Sequence, residues 1–85
     1  MIAIADGGSS KCDWLLFDGN QIVHTHTRGY NPLFLTPDEI SNDLLTNDLF
    51  ANIGREVHQV FFYGASCSTA SLQDKVKIGL SKIFA

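Results

Sequence analysis

An α/β fold built on a mixed sheet is predicted by the order of apolar runs along the chain, which reads β-β-β-α-β-α. Three observations carry that prediction. The first third of the chain alternates short apolar or β-branched runs with tight polar turns, as in a strand meander. Two later stretches repeat apolar residues at helical spacing. Between them lies one more short run of β-branched and aromatic residues that ends in small ones.

Residues 1–5 form an apolar run that stops at Asp6-Gly7-Gly8-Ser9-Ser10, the pattern of a buried strand ending in a polar turn. Residues 14–17 give a second run, Asp18-Gly19-Asn20 supplies turn chemistry compatible with positive φ, and residues 21–27 resume as a β-branched strand. The first strand is the most apolar and is expected to be the most central. Arg28-Gly29-Tyr30-Asn31-Pro32 breaks the pattern, Pro32 biasing Asn31 towards extended backbone. Thr36-Pro37-Asp38-Glu39 then reads as a helix start with a capping box. One helix follows, with Ile40, Leu44, Leu45, Leu49 and Ile53 as its apolar stripe and Gly54 at the left-handed C-terminal position. Residues 57–63 are the fourth strand, delivering Gly64-Ala65-Ser66 at its end. A second helix runs from about Thr69 through Leu72, Val76, Leu80 and Ile83, with Ser68 and Ser71 as candidate caps.

At 85 residues the chain is one small domain, near the lower limit at which a single core offsets conformational entropy. A hydrophobic content of 45% with 18% charged residues is a globular rather than a disordered profile. The net charge of -3 is unclustered, so there is no basic stripe of the kind nucleic acid or an anionic membrane surface requires. Neither partner is expected. No apolar stretch approaches the roughly 20 residues needed to span a bilayer. With Cys12 and Cys67 as the only cysteines and no leader-like start, a reducing, cytoplasmic setting is expected. No repeat or linker divides the chain.

The run Asp6-Gly7-Gly8-Ser9-Ser10-Lys11 has the composition of a phosphate-binding loop. Adjacent glycines let backbone N–H groups approach a phosphate, serine hydroxyls add donors, and Lys11 adds charge. Asp6 is the candidate magnesium ligand, because this ion prefers oxygen donors and keeps several waters. The spacing matches neither a Walker A loop nor a Rossmann fingerprint. Taken alone, such a run is more often an ordinary polar turn than a phosphate loop.

From Ile4 to Asp13, with a strand and an Asp-Gly turn after it, the sequence resembles the opening of N-acetylglucosamine kinase-like proteins and the wider BadF/BadG/BcrA/BcrD-type ATPases. These belong to the actin-like sugar kinase and heat-shock chaperone superfamily, whose first phosphate motif typically reads Asp-Gly-Gly-Gly-Thr-Lys-Thr. Ser9 stands where that motif often has glycine and Cys12 where it has Thr or Ser, while Ser10 keeps the hydroxyl. The resemblance implies a ribonuclease H-like, actin-like ATPase half-lobe in which Gly7, Gly8, Ser9, Ser10 and Lys11 contact the nucleotide phosphates and Asp6 the magnesium ion.

Gly29-Tyr30-Asn31-Pro32 resembles the Gly-x-Asn-Pro segment of the same family, which implies that Asn31 hydrogen-bonds a sugar hydroxyl; one amide offers both donors and an acceptor for such a group. A plain turn-forming Asn-Pro pair is the other reading. Tyr63-Gly64-Ala65-Ser66-Cys67-Ser68 resembles the family's small-residue segment after the fourth strand. No chemistry is assigned to Cys67, which lacks an activating partner in sequence. His24 and His26 share a strand face but are two ligands where a metal site needs more. Phe61-Phe62-Tyr63 reads as core packing.

The resemblance implies an ATP- and magnesium-dependent kinase acting on N-acetylglucosamine or a related hexose. It also implies that the general-base aspartate follows a fifth strand beyond Ala85. Residues 1–85 are then the N-terminal part of the first lobe, cut before that strand and inactive alone. Two alternatives stand beside it: an ATPase activator of the benzoyl-CoA or hydroxyacyl-CoA type, and a non-catalytic sugar- or nucleotide-binding regulator. A sheet edge left open by the absent strand is expected to favour a homodimer.

Overall fold

Residues 1–8, 10–64 and 69–84 are described by a computed structural model. The elements are β1 (Ile2–Gly7), β2 (Cys12–Phe17), β3 (Ile22–Thr27), α1 (Pro37–Leu45), α2 (Asp48–Ile53), a 3-10 turn over Gly54–Glu56, β4 (Gln59–Tyr63) and α3 (Ala70–Ser81). The sheet order is β3-β2-β1-β4, with β1 antiparallel to β2, β2 antiparallel to β3, and β1 parallel to β4. The expected mixed sheet and internal first strand are both present.

The β2–β3 hairpin turns where its residues dictate. Asp18 Oδ1 accepts from the backbone N–H groups of Asn20 and Gln21 at 2.9 and 3.0 Å, and Gly19 takes φ +98°. Those two N–H donors hold the Asp18 carboxyl below its ordinary range. At the start of α1 the capping box is complete: Thr36 Oγ1 accepts from Glu39 N–H, and Glu39 Oε1 from Thr36 N–H.

The single helix expected after Thr36 is in fact two. Thr46 Oγ1 donates to Asp43 O at 2.6 Å, and Asn47 caps α2 by accepting from Leu49 and Phe50 N–H. Short polar side chains that bond nearby backbone interrupt helices in this way. Leu45, placed in the apolar stripe by its spacing, is exposed. Gly54 is right-handed at φ -53°, so it is not a left-handed stop. A Cβ there would lie 2.8 Å from Ile83 Cγ2 and 3.0 Å from Ile83 O, so close approach is what calls for glycine. Helix α3 is capped by Thr69, whose Oγ1 accepts from Leu72 N–H, rather than by Ser71; Ser68 lies outside the described residues.

One sheet face carries the core. Ala3, Ala5, Cys12, Trp14 and Leu16 point into it and are buried with Ile40, Leu44, Phe50, Leu80 and Phe84 from the helices and the C-terminal turn. Trp14 sits at its centre, with ring centroids 5.0 Å from Phe50, 5.8 Å from Phe84 and 6.2 Å from Phe62. Fully burying side chains of this size contributes about 1.5–3 kcal/mol each. The other face has no layer over it among the described residues. Ile4, Phe17, Ile22, Phe61 and Tyr63 are exposed there, so Phe61 and Tyr63 are not the core residues their composition suggests. Alternation along β4 puts only Val60 and Phe62 on the packed side. Among the described residues no helix is long and apolar enough to cross a membrane.

Candidate phosphate and sugar site

Strand register gathers the candidate residues at one end of the sheet. Gly7 pairs with Cys12 and Cys12 with Thr27, while Asp6 pairs with Asp13 on one side and Tyr63 on the other. The turn over residues 8–11, the loop that begins at Arg28 and the exit from β4 therefore leave the same sheet end. These are the three segments singled out in the sequence. Ser9 and residues 65–68, including Cys67, lie outside the described residues.

Asp6 and Gly7 belong to β1 itself, which runs two residues beyond the apolar run. Gly8 N–H donates to Lys11 O at 2.8 Å and closes the turn that brings the chain back into β2. Gly7 and Gly8 are not among the glycines with positive φ, and a Cβ on Gly7 would meet Cys12 Sγ and Tyr63 O at 3.5 Å. A Cβ at either position would make only ordinary van der Waals contacts, so packing within this chain does not call for glycine there. Ser10 is exposed. Lys11 Nζ lies 3.4 Å from Asp13 Oδ1 in a pair open to solvent, an interaction weak enough to yield to a phosphate.

Asp6 and Asp13 are exposed and directly opposite each other, an arrangement that disfavours a β pair unless cations lie nearby. Lys11 supplies one positive charge. Among the described residues no group of three or more His, Cys, Asp or Glu is arranged to hold a metal. A magnesium ion shared between a carboxylate and phosphate oxygens needs no such cage. Cys12, fully buried, has its thiol pushed up to about 12 by burial and by the charge of Asp13, so it stays protonated.

The loop that carries Asn31 is held from four directions. Trp14 Nε1 donates to Thr27 Oγ1 at 3.0 Å, and Thr27 Oγ1 donates to Arg28 O at 2.9 Å. Tyr30, buried, donates its hydroxyl to Asp43 Oδ2 on α1 at 2.6 Å. Burial, reinforced by that bond, pushes the phenol well above its ordinary value. Lys75 on α3 donates to Pro32 O at 2.9 Å. Asn31 O accepts from Phe34 and Leu35 N–H, both at 3.0 Å.

The side chain of Asn31 is itself engaged: its Oδ1 accepts from Leu33 N–H at 3.0 Å. That bond fixes the amide, because only its oxygen can accept. What remains for a ligand is the Nδ2 donor pair and the second lone pair of Oδ1, a donor-and-acceptor role in reduced form. No buried side-chain nitrogen or oxygen lacks a partner among the described residues, so Nδ2 is not sealed in the core. Thr27, Tyr30, Asp43 and Lys75 escaped the sequence reading. Tyr30, an aromatic inside a polar loop, was the only local signal among them.

The arrangement is a half-lobe of an actin-like kinase fold, with three helices and a four-stranded mixed sheet presenting its turns at one end. Among solved structures it is similar to a proposed N-acetylglucosamine kinase from Porphyromonas gingivalis, with a TM-score of 0.80 and 28% identity over 98% of this chain. The chain spans 30% of the length of that protein. No family model and no curated protein matches the sequence. The likeness gives the chain a sugar-kinase-like origin.

Proposed function

We propose that this chain is the N-terminal segment of an ATP-dependent sugar kinase of the BadF/BadG type, acting in the cytoplasm on N-acetylglucosamine or a related hexose. The observation that carries the reading is convergence: the glycine-serine turn and the Asn31 loop leave the same end of the sheet, in a fold shared over nearly the whole chain with a proposed kinase for that sugar.

In this reading the Gly7-Gly8-Ser9-Ser10 turn lies against the ATP phosphates, Gly8 N–H keeping its bond to Lys11 O while the Ser10 hydroxyl donates to a phosphate oxygen, and Lys11 leaves Asp13 to neutralise them. Asp6 would hold magnesium, directly or through water, with Asp13 adding negative charge opposite it. Magnesium held there would supply positive charge to offset that of the phosphates. Asn31 donates through Nδ2 to a sugar hydroxyl oxygen. These residues position two substrates but include no general base towards the sugar, so the 85-residue chain alone transfers no phosphoryl group.

Titration calorimetry of the full-length gene product with N-acetylglucosamine and other hexoses, with and without ATP and magnesium, tests the proposal. Saturable sugar binding that tightens with nucleotide supports it. Nucleotide binding with no response to any hexose would move the assignment to an ATPase activator.

A further inference from the structure

We propose that Lys75 is a positioning residue for the Asn31 amide, acting through the peptide bond between Pro32 and Leu33. The inference rests on the sugar reading of Asn31 and deepens it: the amide that meets the sugar is aimed from α3, by a side chain spent on the protein's own backbone.

The turn after Asn31 uses its N–H groups in a fixed way. Leu33 N–H donates to Asn31 Oδ1, Phe34 and Leu35 N–H both donate to Asn31 O, and Thr36 N–H goes to Glu39 Oε1. None of the four reaches Pro32 O, although Pro32 is buried. A buried carbonyl calls for a donor. Lys75 Nζ supplies it at 2.9 Å, from 43 residues further along the chain.

Pro32 O and Leu33 N–H are the two ends of one planar peptide unit. Lys75 holds the oxygen end, and Asn31 Oδ1 takes the hydrogen end. Rotation of this peptide would swing the Leu33 N–H away from Oδ1, so a bond that fixes the plane also fixes the amide. The ammonium does more than hold. A cation on the carbonyl polarises the peptide and strengthens its N–H as a donor, because hydrogen bonds in a chain reinforce one another. The Asn31 amide, polarised in its turn, offers the Nδ2 hydrogens more strongly to a sugar oxygen.

Helix packing brings Lys75 within reach. It stands one turn before Gly79 on the same side of α3. At Gly79 the helix comes close to α1, where a Cβ would lie 2.9 Å from both Ile40 Cβ and Pro37 O. Among the described residues the ion pairs are Lys11–Asp13 and Lys82–Asp38, so no carboxylate draws Lys75 away. Surface lysines usually keep the ammonium in water; Lys75 is half-buried and directed at one carbonyl. On the other flank of Asn31, Tyr30 is tied to Asp43 on α1, and the Lys75 bond closes the second flank.

Calorimetry and hydrogen exchange on the full-length gene product test the role, with N-acetylglucosamine and other hexoses as probes. Lys75→Met keeps the stem and removes the donor. It is expected to weaken hexose binding about 3- to 30-fold, the range for coupled members of one hydrogen-bond network, with affinity for ATP and magnesium unchanged. On an Asn31→Ala background, which has no amide to aim, Lys75→Met adds less than about twofold. The Leu33 amide exchanges faster in Lys75→Met, with or without sugar. Lys77→Met, exposed on the same helix, changes none of these. Equal losses of hexose and ATP affinity, losses that add in full on the Asn31→Ala background, or an unchanged Leu33 amide would overturn the positioning role and leave the sugar reading standing. A wild-type protein that binds no hexose would overturn the sugar reading itself, and this role with it.

Discussion

Asn31 serves two masters within one amide. Its oxygen holds the turn through Leu33 N–H, and its nitrogen offers a ligand two donors. The variant Asn31→Asp separates these roles, since the carboxylate keeps the turn acceptor and loses both donors. Its thermal midpoint is expected close to wild type, while hexose affinity in the full-length protein falls about 10- to 100-fold, as for loss of a well-placed hydrogen bond. Asn31→Ala loses both and is expected to be less stable by about 1 kcal/mol as well. Cys12 gives a pH test. Its folded value is raised from 9.0 to about 12 by burial, so folding favours the neutral thiol. The stabilisation is full below pH 9 and is lost as pH rises from there towards 12. Tyr30 acts in the same direction. Urea midpoints are expected to be level near neutrality and to fall above about pH 9, with a shallower fall in Cys12→Ala.

At the scale of elements, helix ends and turns were legible because their signals are local. Thr36-Pro37-Asp38-Glu39 needs only itself to form a capping box, and Asp18-Gly19-Asn20 only itself to turn. The break at Thr46 and Asn47 was not legible. The apolar spacing continues through it, and the polar side chains that interrupt it, Thr46 and Asn47, bond nearby backbone while Asn47 also reaches across to β3. Gly79 makes the same point within α3. Glycine inside a helix usually costs about 1 kcal/mol relative to alanine, yet a Cβ at Gly79 would sit 2.9 Å from Ile40 Cβ and 2.9 Å from Pro37 O on α1. Gly79→Ala is therefore expected to destabilise the chain by about 1–3 kcal/mol, against its helix propensity, as read from chemical denaturation. A stabilised variant would mean that α1 and α3 do not pack this closely.

For the whole molecule, the fold class and the internal position of β1 followed from the succession of runs, while the convergence of the glycine-serine turn with the Asn31 loop emerged from the strand register. Burial did not follow from the runs either. A run such as Phe61-Phe62-Tyr63 alternates between faces, and only the position of the helices shows that one face is packed and the other open. The anchors of the Asn31 loop were hidden for a related reason: Asp43 and Lys75 act from helices remote in sequence. The central claim concerns what that sheet end binds, and sugar-dependent ADP release by the full-length gene product, supplied with ATP and magnesium, tests it most directly. Release that requires N-acetylglucosamine or a related hexose, and that Asn31→Asp suppresses at subsaturating sugar, is the expected result. ADP release at the same rate with and without every hexose, unchanged by Asn31→Asp, would contradict the account.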